Sequence, residues 1–375
     1  MRLTEEQREL RSAVRALLAR HPGAEAWRPL TRQIGAAALA VPEASGGAGG
    51  GPLEVHVVME ELGRALAPVP YLGSVVLAAQ ALLASGDAEL LPALAEGGTV
   101  GALAWAEDGS WDPGAVRAQA RREGGGPWRL TGTKDHVLDG ADADVLIVAA
   151  RTDAGVSLFR VGVDADGVRR ERLTAVDPSR PQARVLLDRA EGRLVGDDGD
   201  GARVLRHVLD LACTALAAEQ VGAAERCLEV TVAYARERVQ FGRPIGSFQA
   251  VKHRLADAYV LVESARSAAL GAAVAAAEGA PELTRYAAAA KSACSEAFST
   301  VAGEMIQLHG GIGMTWEHDA HRYFKRAHGA AHLLGSPAWH RARLAADLGL
   351  MERHLGEEAG SVRAGAASVF QGAGS

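Results

Sequence analysis

The chain has 375 residues, of which 48% are hydrophobic and 23% charged, and this length predicts two or three domains rather than one compact core. Its net charge is −6, from 40 basic and 46 acidic residues. No segment concentrates lysine or arginine, so the composition argues against a nucleic-acid partner.

Residues 3 to about 103 are predicted to be helical. Thr4 precedes an amphipathic run and Gln7 follows three positions later, which is the pattern of a capping box. The run from Met59 has apolar residues at helical spacing and stops at Pro68. Charges of both signs along the first helix argue against a secretory signal, so we predict a cytoplasmic protein.

A glycine-rich segment, Ser45 to Gly51, separates two of these helices. It lacks the Gly-Lys-Ser/Thr ending that a phosphate-binding loop requires. Clusters of small, flexible residues between periodic segments are typical of loops, so we interpret this segment as a connector.

From about Gly101 the pattern changes to short β-favouring runs, which glycine, aspartate and proline separate. These runs predict a small β domain. They are GALAWAE, VRAQARRE, WRLTGTKDHVLDG, ADVLIVAAR and VSLFRVGV.

Helical periodicity returns at about Ala202, lasts to about Leu355 and predicts a bundle. An alanine-rich face, Ala268 to Ala280, favours close helix packing inside the bundle or in an oligomer. The longest apolar run, Ala265 to Ala277, is shorter than the roughly 20 residues that span a bilayer, so we expect no membrane insertion. One apolar stripe is formed by Val251, Leu255, Tyr259 and Val262.

These patterns together predict three domains in the order helix, strand, helix, followed by a glycine-, alanine- and serine-rich tail that we expect to be flexible. The predicted units are an N-terminal all-α domain at 1–103, a central β domain at 104–200, a C-terminal helical bundle at 201–355 and the tail at 356–375.

The first segment with candidate chemistry is RERVQFGRPIGSFQ, from Arg236 to Gln249. Gly242 and Pro244 force the backbone to change direction after a basic turn. An arginine presented there can make paired hydrogen bonds to a pyrophosphate, and Gln240 and Gln249 add neutral donors and acceptors. An arginine that caps a helix C-terminus is an equally good interpretation of the residues alone.

The second segment is IQLHGGIGMTWEHDAHRYFKRA. Gly310, Gly311 and Gly313 allow close approach of the backbone to a ligand, with amide donors available. The segment follows a helix rather than a strand, so it is not a dinucleotide-binding fingerprint, and a Gly-Gly pair also commonly ends a helix.

In this order and at this separation, the two segments resemble the acyl-CoA dehydrogenase family. The resemblance continues in LAVPEASGG, MEELGRALAP and WRLTGTKDHVLDGADADVLIVAAR, and it covers roughly residues 3 to 350. It implies an α+β fold with an N-terminal helical domain, a central β-barrel or sandwich domain and a C-terminal four-helix bundle. It also implies FAD, an acyl-CoA thioester substrate, a dimer or tetramer, and an electron-transfer flavoprotein as acceptor.

The resemblance also assigns cofactor contacts by position. In such oligomers these contacts reach the flavin of a neighbouring subunit, at its pyrophosphate and adenosine. The residues expected to bind FAD are Arg238, Gln240, Phe241, Gln249, Gln307, Gly310 and Gly311.

The sequence departs from the family at the residues that act on the substrate and the flavin ring. The usual catalytic glutamate falls on Leu334, and the alternative base position falls on Ala212, with Cys213 where an arginine is usual. Leucine and alanine cannot accept a proton. The Trp-x-Thr strand that lies against the flavin aligns with His136, Val137 and Leu138.

Other residues give weak support for catalysis or for metal binding. Asp210 and Glu219 are acids near the alternative base position, but roles on the helix surface or in polar networks are the simpler interpretation. His328 and His332 have the spacing of a two-histidine metal pair without a third ligand, so we predict no metal site. The cysteines are too few and too far apart for a disulfide framework and are expected to be buried thiols: Cys213, Cys227 and Cys294.

Three hypotheses follow. The first is a subunit of a hetero-oligomeric acyl-CoA dehydrogenase that completes a partner's FAD site, similar to the short partner subunits of heterotetrameric actinobacterial enzymes. The second is a homo-oligomeric dehydrogenase whose base is relocated, for example to Asp210 or Glu219. The third is a helical scaffold or acyl-CoA binding protein without flavin.

Overall fold

A computed structural model describes residues 3–122 and 125–350. Helices come first, then strands, then helices again, which confirms the predicted α+β class. The predicted flexible tail, 356–375, lies outside the described residues.

The N-terminal region is helical, as predicted. Its first helix begins with a capping box: the backbone N–H of Gln7 donates to Thr4 Oγ1 at 3.2 Å, and that of Thr4 donates to Gln7 Oε1 at 3.1 Å. The helices are α1 (Glu5–Arg20), α2 (Trp27–Gln33), α3 (Pro52–Ala65), a π-helical segment (Tyr71–Ala79) that continues into α4 (Gln80–Ser85), and α5 (Leu91–Ala95).

The central strands form one seven-stranded sheet, and its pairing closes on itself because β4 pairs with β2 and also with β5. Alternate residues of the strands fill a core of small and branched side chains around Leu130, Leu146, Phe159 and Val185. The strands are β1 (Gly101–Ala104), β2 (Gln119–Arg122), β3 (Trp128–Leu138), β4 (Val145–Arg151), β5 (Val156–Gly162), β6 (Val168–Arg172) and β7 (Gln182–Val195).

The C-terminal helices are long and pack side by side. Between α6 and α7 a two-strand hairpin pairs β8 with β9. The bounds are α6 (Gly201–Glu237), β8 (Val239–Gln240), β9 (Arg243–Pro244), α7 (Gln249–Ala277), α8 (Leu283–His309), α9 (Ala320–His332) and α10 (Pro337–Asp347).

Helices α3 and α6 pack with their backbones almost in contact, at two glycines. A Cβ atom on Gly63 would lie 1.9 Å from the carbonyl oxygen of Glu219, and one on Gly222 would lie 1.8 Å from that of Glu60. Any side chain at either glycine would separate the two helices. This contact fixes the N-terminal helices against the bundle.

Helix α7 differs from its predicted apolar stripe. Tyr259 of that stripe is 59% exposed, and the buried face of the helix carries Ala258, Val262 and Ala265 instead. Small residues face the bundle because they permit close packing against α6 and α8. Val260 beside Tyr259 is also exposed, so this part of α7 presents an apolar surface.

Helix α7 is also longer than the apolar run seen in the sequence. With 29 residues, it is the one helix of the described ranges that could cross a membrane by length and composition. It packs against α3, α6 and α8, and helices inside soluble bundles pass the same test.

The three cysteines are buried and free, as predicted.

Candidate functional site

The first candidate segment forms a hairpin tip at the end of α6. Phe241 and Gly242 both have positive φ, at 53° and 75°, which is the backbone of a two-residue hairpin turn. Phe241 is 92% exposed. The chain thus accepts a left-handed non-glycine residue at the tip and presents its aromatic ring to solvent.

Ring contacts hold this hairpin in place. The guanidinium of Arg243 lies 4.0 Å from the ring centroid of Phe248, and the rings of Phe241 and Phe248 meet edge to face at 6.1 Å. Phe248 immediately precedes α7. The hairpin is therefore positioned on the start of the next helix.

The structure brings the two candidate segments together. The ring of Tyr234, near the end of α6, stacks on His309 at the end of α8, with centroids 4.4 Å apart. The hydroxyl of Tyr234 donates to the carbonyl oxygen of His309 at 3.4 Å. Gly310 follows with a φ of 63° and starts the short turn that carries Gly311.

All the residues predicted to contact FAD are exposed on the folded chain. Within residues 3–122 and 125–350, no hydrogen bond or ion pair engages the side chains of Arg238, Gln249 or Gln307. A Cβ atom added at Gly310 or Gly311 would meet nothing within 4 Å. We call this set the motif surface: Arg238, Gln240, Phe241, Gln249, Gln307, Gly310 and Gly311.

The donors of the motif surface suit a phosphate-bearing ligand. A free guanidinium offers paired N–H donors to phosphate oxygens, and the amides of Gln249 and Gln307 add neutral donors. The exposed backbone at Gly310 and Gly311 lets such a ligand approach closely. The residues present therefore fit FAD, as a ligand that reaches the chain from outside.

A separate cleft of about 1060 Å³ lies between the β domain and helices α9 and α10. Its walls include Trp111, His136 and Arg180 from the β side, and Leu333 and Trp339 from the helical side. No residue of the motif surface lines this internal cleft. The predicted FAD contacts and this large cleft of the same chain are therefore distinct.

The predicted base position lies in the turn between α9 and α10, which borders the internal cleft at Leu333 and Gly335. Leu334 is fully buried with a φ of 61°, and its carbonyl oxygen accepts a hydrogen bond from His340 Nε2 at 3.0 Å. The ammonium of Lys291 donates to the carbonyl oxygens of Ala330 and Gly335 on either side. The turn is thus fixed by donors to its backbone and presents no carboxylate.

The histidine behind this turn is neutral. Burial, together with the nearby charges of Lys291 and Arg343, lowers the pKa of His340 to about 3. The other predicted base position also carries no carboxylate, because Ala212 and Cys213 stand there, and both are fully buried in α6.

Glu219 belongs to a buried ion-pair cluster that also contains Asp177, Arg180 and Arg326. Arg326 donates to Asp177 Oδ2 at 2.5 Å and to Glu219 Oε1 at 2.8 Å, and Arg180 binds the same carboxylate. Burial alone raises the pKa of Glu219, but the two guanidinium groups lower it overall. This carboxylate is ionised and fully engaged, so it cannot serve as a free base.

Asp210 is engaged in the same way. Its carboxylate accepts a hydrogen bond from Thr284 Oγ1 at 2.6 Å and pairs with Arg343 at 2.8 Å.

His328 and His332 line the internal cleft, and the described residues contain no group of three metal-ligating side chains.

Nothing in the sequence marked Arg180 and Arg326 as partners of Glu219. These arginines are 39 and 107 positions away from it, and a single sequence carries no signal of such a contact. The sequence around a buried arginine in a polar helix looks the same as the sequence around a solvent-exposed arginine.

Comparison with known proteins gives consistent matches along the chain. The family described as acyl-CoA dehydrogenase, N-terminal domain, matches residues 4–98, and acyl-CoA dehydrogenase, C-terminal domain, matches residues 199–349. Acyl-CoA dehydrogenase IpdE2 of Mycobacterium tuberculosis is 44% identical over 350 residues, which cover 89% of this chain and 94% of that protein.

Two solved structures share the fold with a TM-score of 0.84 and 34% identity. One is the ChsE4–ChsE5 complex of Mycobacterium tuberculosis, where the match covers 93% of this chain and 98% of the other. The other is a variant of the Tcur3481–Tcur3483 steroid ACAD, where the match covers 94% of this chain and 99% of the other.

Proposed function

Because the chain belongs to the acyl-CoA dehydrogenase family, whose cofactor is FAD, we propose that it is one subunit of a hetero-oligomeric acyl-CoA dehydrogenase. It lacks its own catalytic base and completes the FAD site of a partner subunit. One observation carries the proposal: the predicted FAD contacts are exposed, and the side chains of Arg238, Gln249 and Gln307 have no partner among the described residues, whereas Leu334 and Ala212 occupy both base positions.

When bound, FAD accepts the hydride that leaves the β carbon of the acyl-CoA thioester. This chain contributes binding and orientation. The guanidinium of Arg238 would hold the pyrophosphate, and the amides of Gln249 and Gln307 would extend the same set of donors. The ring of Phe241, which is exposed, would hold the adenosine end. The glutamate that removes the α proton belongs to the partner.

Exposed apolar residues near the motif surface support a partner of this kind. Met314 is 76% exposed and Trp316 is 81% exposed, and they lie at and just after the end of the Gly310–Met314 turn. A group of large apolar side chains around polar donors is typical of a surface that a second protein covers. The occupant that we propose is a homologous dehydrogenase chain.

The relatives supply a substrate class for this proposal. One related structure is a complex of two differently named chains, and another is named a steroid ACAD. We propose by analogy a CoA thioester with a steroid-derived acyl group, and an electron-transfer flavoprotein as the acceptor.

A homo-oligomer with a relocated base has less support. Glu219 is held by two guanidinium groups and Asp210 by one. Either carboxylate would have to leave a buried ion pair before it could accept a proton, which costs several kcal/mol, roughly 3–5 by analogy with broken buried pairs.

The test is expression of the chain alone and together with a related dehydrogenase that has glutamate at the position of Leu334, followed by assays with an acyl-CoA. We expect turnover only from the pair. Arg238→Ala in this chain should reduce that turnover, while Arg236→Ala, at an exposed arginine two positions earlier, should leave it unchanged. Turnover by this chain alone would contradict the proposal, and so would a colourless, inactive pair.

A further inference from the structure

The turn that carries Gly310 and Gly311 stands away from the rest of the chain. A Cβ atom at either glycine would meet nothing within 4 Å, and Gly310 has a φ of 63°. Glycine backbone has many accessible conformations, and ordering it on binding costs conformational entropy. A turn of this kind binds a ligand tightly only where other residues fix its conformation in advance.

Three aromatic rings hold both ends of this turn. The ring of His309, immediately before Gly310, contacts that of Tyr234 near the end of α6 at a centroid distance of 4.4 Å. It also contacts the ring of His318, just before α9, at 4.3 Å. His309 is 3% exposed. We call this group the ring cluster: Tyr234, His309 and His318.

Hydrogen bonds tie each ring of the cluster to the backbone. The hydroxyl of Tyr234 donates to the carbonyl oxygen of His309 at 3.4 Å. Nδ1 of His309 donates to the carbonyl oxygen of Met305 at 2.6 Å. Nδ1 of His318 accepts from the N–H of Ala320, the first residue of α9, at 3.1 Å. The cluster therefore connects the ends of α6 and α8 with the start of α9.

Tyr234 also joins the glycine turn to Arg238. The backbone N–H of Arg238 donates to the carbonyl oxygen of Tyr234 at 2.8 Å, and the carbonyl oxygen of Arg238 accepts from the N–H of Ile245 at 2.8 Å. The backbone of Arg238 is thus fixed on both sides, while its side chain has no partner among the described residues. One tyrosine therefore contacts both halves of the motif surface, through its backbone at Arg238 and through its ring at His309.

We propose that the ring cluster positions the motif surface for FAD: it keeps the backbone at Gly310 and Gly311 in a fixed position relative to Arg238 before the cofactor binds. This inference rests on the proposed function, in which the motif surface completes a partner's FAD site. The three residues act through the glycines and Arg238, so they are positioning residues. Groups that are already in place lose less conformational entropy on binding, which raises affinity without a new contact.

Tyr234 provides the first test, in the pair of this chain with a related dehydrogenase that carries the glutamate. Tyr234→Leu removes the ring and should weaken FAD binding about three- to tenfold, the factor that an aromatic contact contributes. Tyr234→Phe keeps the ring and should retain most of the affinity. Flavin fluorescence measures both. Undiminished affinity in Tyr234→Leu, or equal loss in the two variants, would overturn the proposal.

A double-mutant cycle with Arg238 separates positioning from a general effect on the fold. If Tyr234 places the glycine turn relative to Arg238, Tyr234→Leu should cost less affinity in a pair that already carries Arg238→Ala. A ring that only stabilises the chain would cause the same fold loss in both backgrounds. That result would overturn the positioning role.

The two histidines test whether the ring contacts themselves matter. His309→Phe keeps a ring beside Tyr234 and should recover most of the affinity that His309→Leu loses. No recovery would attribute the effect to the hydrogen bond with Met305 and overturn the role of the rings.

His318→Asn removes a ring but keeps a side-chain acceptor for the N–H of Ala320, because asparagine makes this contact in an Asx-turn. FAD affinity of the pair should fall, while the free energy of unfolding of the chain alone should change little. Unaltered affinity would overturn the part assigned to His318.

The unaltered pair is the reference for all these variants. If it binds no FAD, both the proposed function and the role of the ring cluster are contradicted. If it binds FAD with an affinity that Tyr234→Leu and His309→Leu leave unchanged, the proposed function stands and the role of the ring cluster alone is overturned.

Discussion

The motif surface and the internal cleft differ in how their polar groups are used. On the motif surface, the side chain of Arg238 is exposed and has no hydrogen-bond or ion-pair partner among the described residues. Beside the cleft, Arg326 is 1% exposed and has every guanidinium nitrogen engaged. One region keeps donors for a ligand, and the other holds its charges in internal pairs.

This difference is what the proposed division of labour between chains requires. Charges that are paired and buried stabilise or position a fold but have no capacity left for a ligand. Donors at a chain bend that have no partner among the described residues remain available to a ligand. Under the proposal, the groups of the motif surface act on a partner's cofactor, while Leu334 supplies no carboxylate at the predicted base position.

The largest effect is expected from disrupting the ion-pair cluster. Arg326→Met removes the shared partner of Glu219 and Asp177 and leaves buried carboxylates short of donors. We expect the free energy of unfolding to fall by about 3–5 kcal/mol in chemical denaturation. Arg322→Met is the control, because its exposed pair with Asp319 contributes at most about 0.5 kcal/mol. Equal losses in the two variants would contradict the cluster's role.

The next effect concerns the motif surface. Arg238→Ala should weaken FAD binding by the assembled pair about 10- to 100-fold, since hydrogen bonds to charged groups contribute about 1.5–3 kcal/mol. Flavin fluorescence measures the affinity. The free energy of unfolding of the chain alone should not change, because the side chain has no partner among the described residues. A destabilised chain with unaltered FAD affinity would show that Arg238 serves the fold of the chain and not the binding of FAD.

The turn at the cleft should depend on pH through His340. Burial lowers its pKa to about 3 in the folded chain, whereas the unfolded chain titrates near about 6.5. The unfolded state therefore binds more protons below about pH 6.5, and stability is lost as pH falls. Between about pH 7 and pH 5 this group should contribute a loss of about 2 kcal/mol.

His340→Gln isolates this contribution. Glutamine can still donate to the carbonyl oxygen of Leu334 but does not titrate. Its stability should fall by about 2 kcal/mol less than that of the native chain over the same interval, measured by urea unfolding at both pH values. Parallel losses in the two proteins would show that the ring is not held neutral by burial.

The smallest effect on the fold is expected at the hairpin tip. Phe241→Ser removes a ring that is 92% exposed, so the free energy of unfolding of the chain alone should change by less than about 0.5 kcal/mol. Association with the partner should nevertheless weaken, as sedimentation at several concentrations would measure. Unimpaired association would remove Phe241 from the interface.

Local patterns were sufficient for much of the fold. The capping box at Thr4 and five of the strands follow from residues close together in sequence. Strands β6 and β7 were not predicted. Val168–Arg172 contains four charged residues in five and lies beside β7, so only its partner, not its composition, identifies it as a strand.

The candidate site was likewise predictable where it consists of local motifs, and not where it depends on contacts between distant residues. The segment from Arg236 to Gln249 and the glycines at 310 and 311 are local motifs, and the sequence alone placed them on helix ends. Their shared surface depends on the stacking of Tyr234 on His309, 75 positions apart. The pairing of Glu219 with Arg326 also joins distant positions. Such contacts cannot be predicted from local patterns in a single sequence.

Flavin stoichiometry tests the central claim most directly. The chain purified alone, and the chain purified with a related dehydrogenase that carries the glutamate, are dialysed against FAD and the bound flavin is counted per chain by absorbance. We predict no stoichiometric FAD on this chain alone and FAD on the pair in an amount that Arg238→Ala in this chain reduces. One FAD per copy of this chain alone, reduced by an acyl-CoA, would contradict the account.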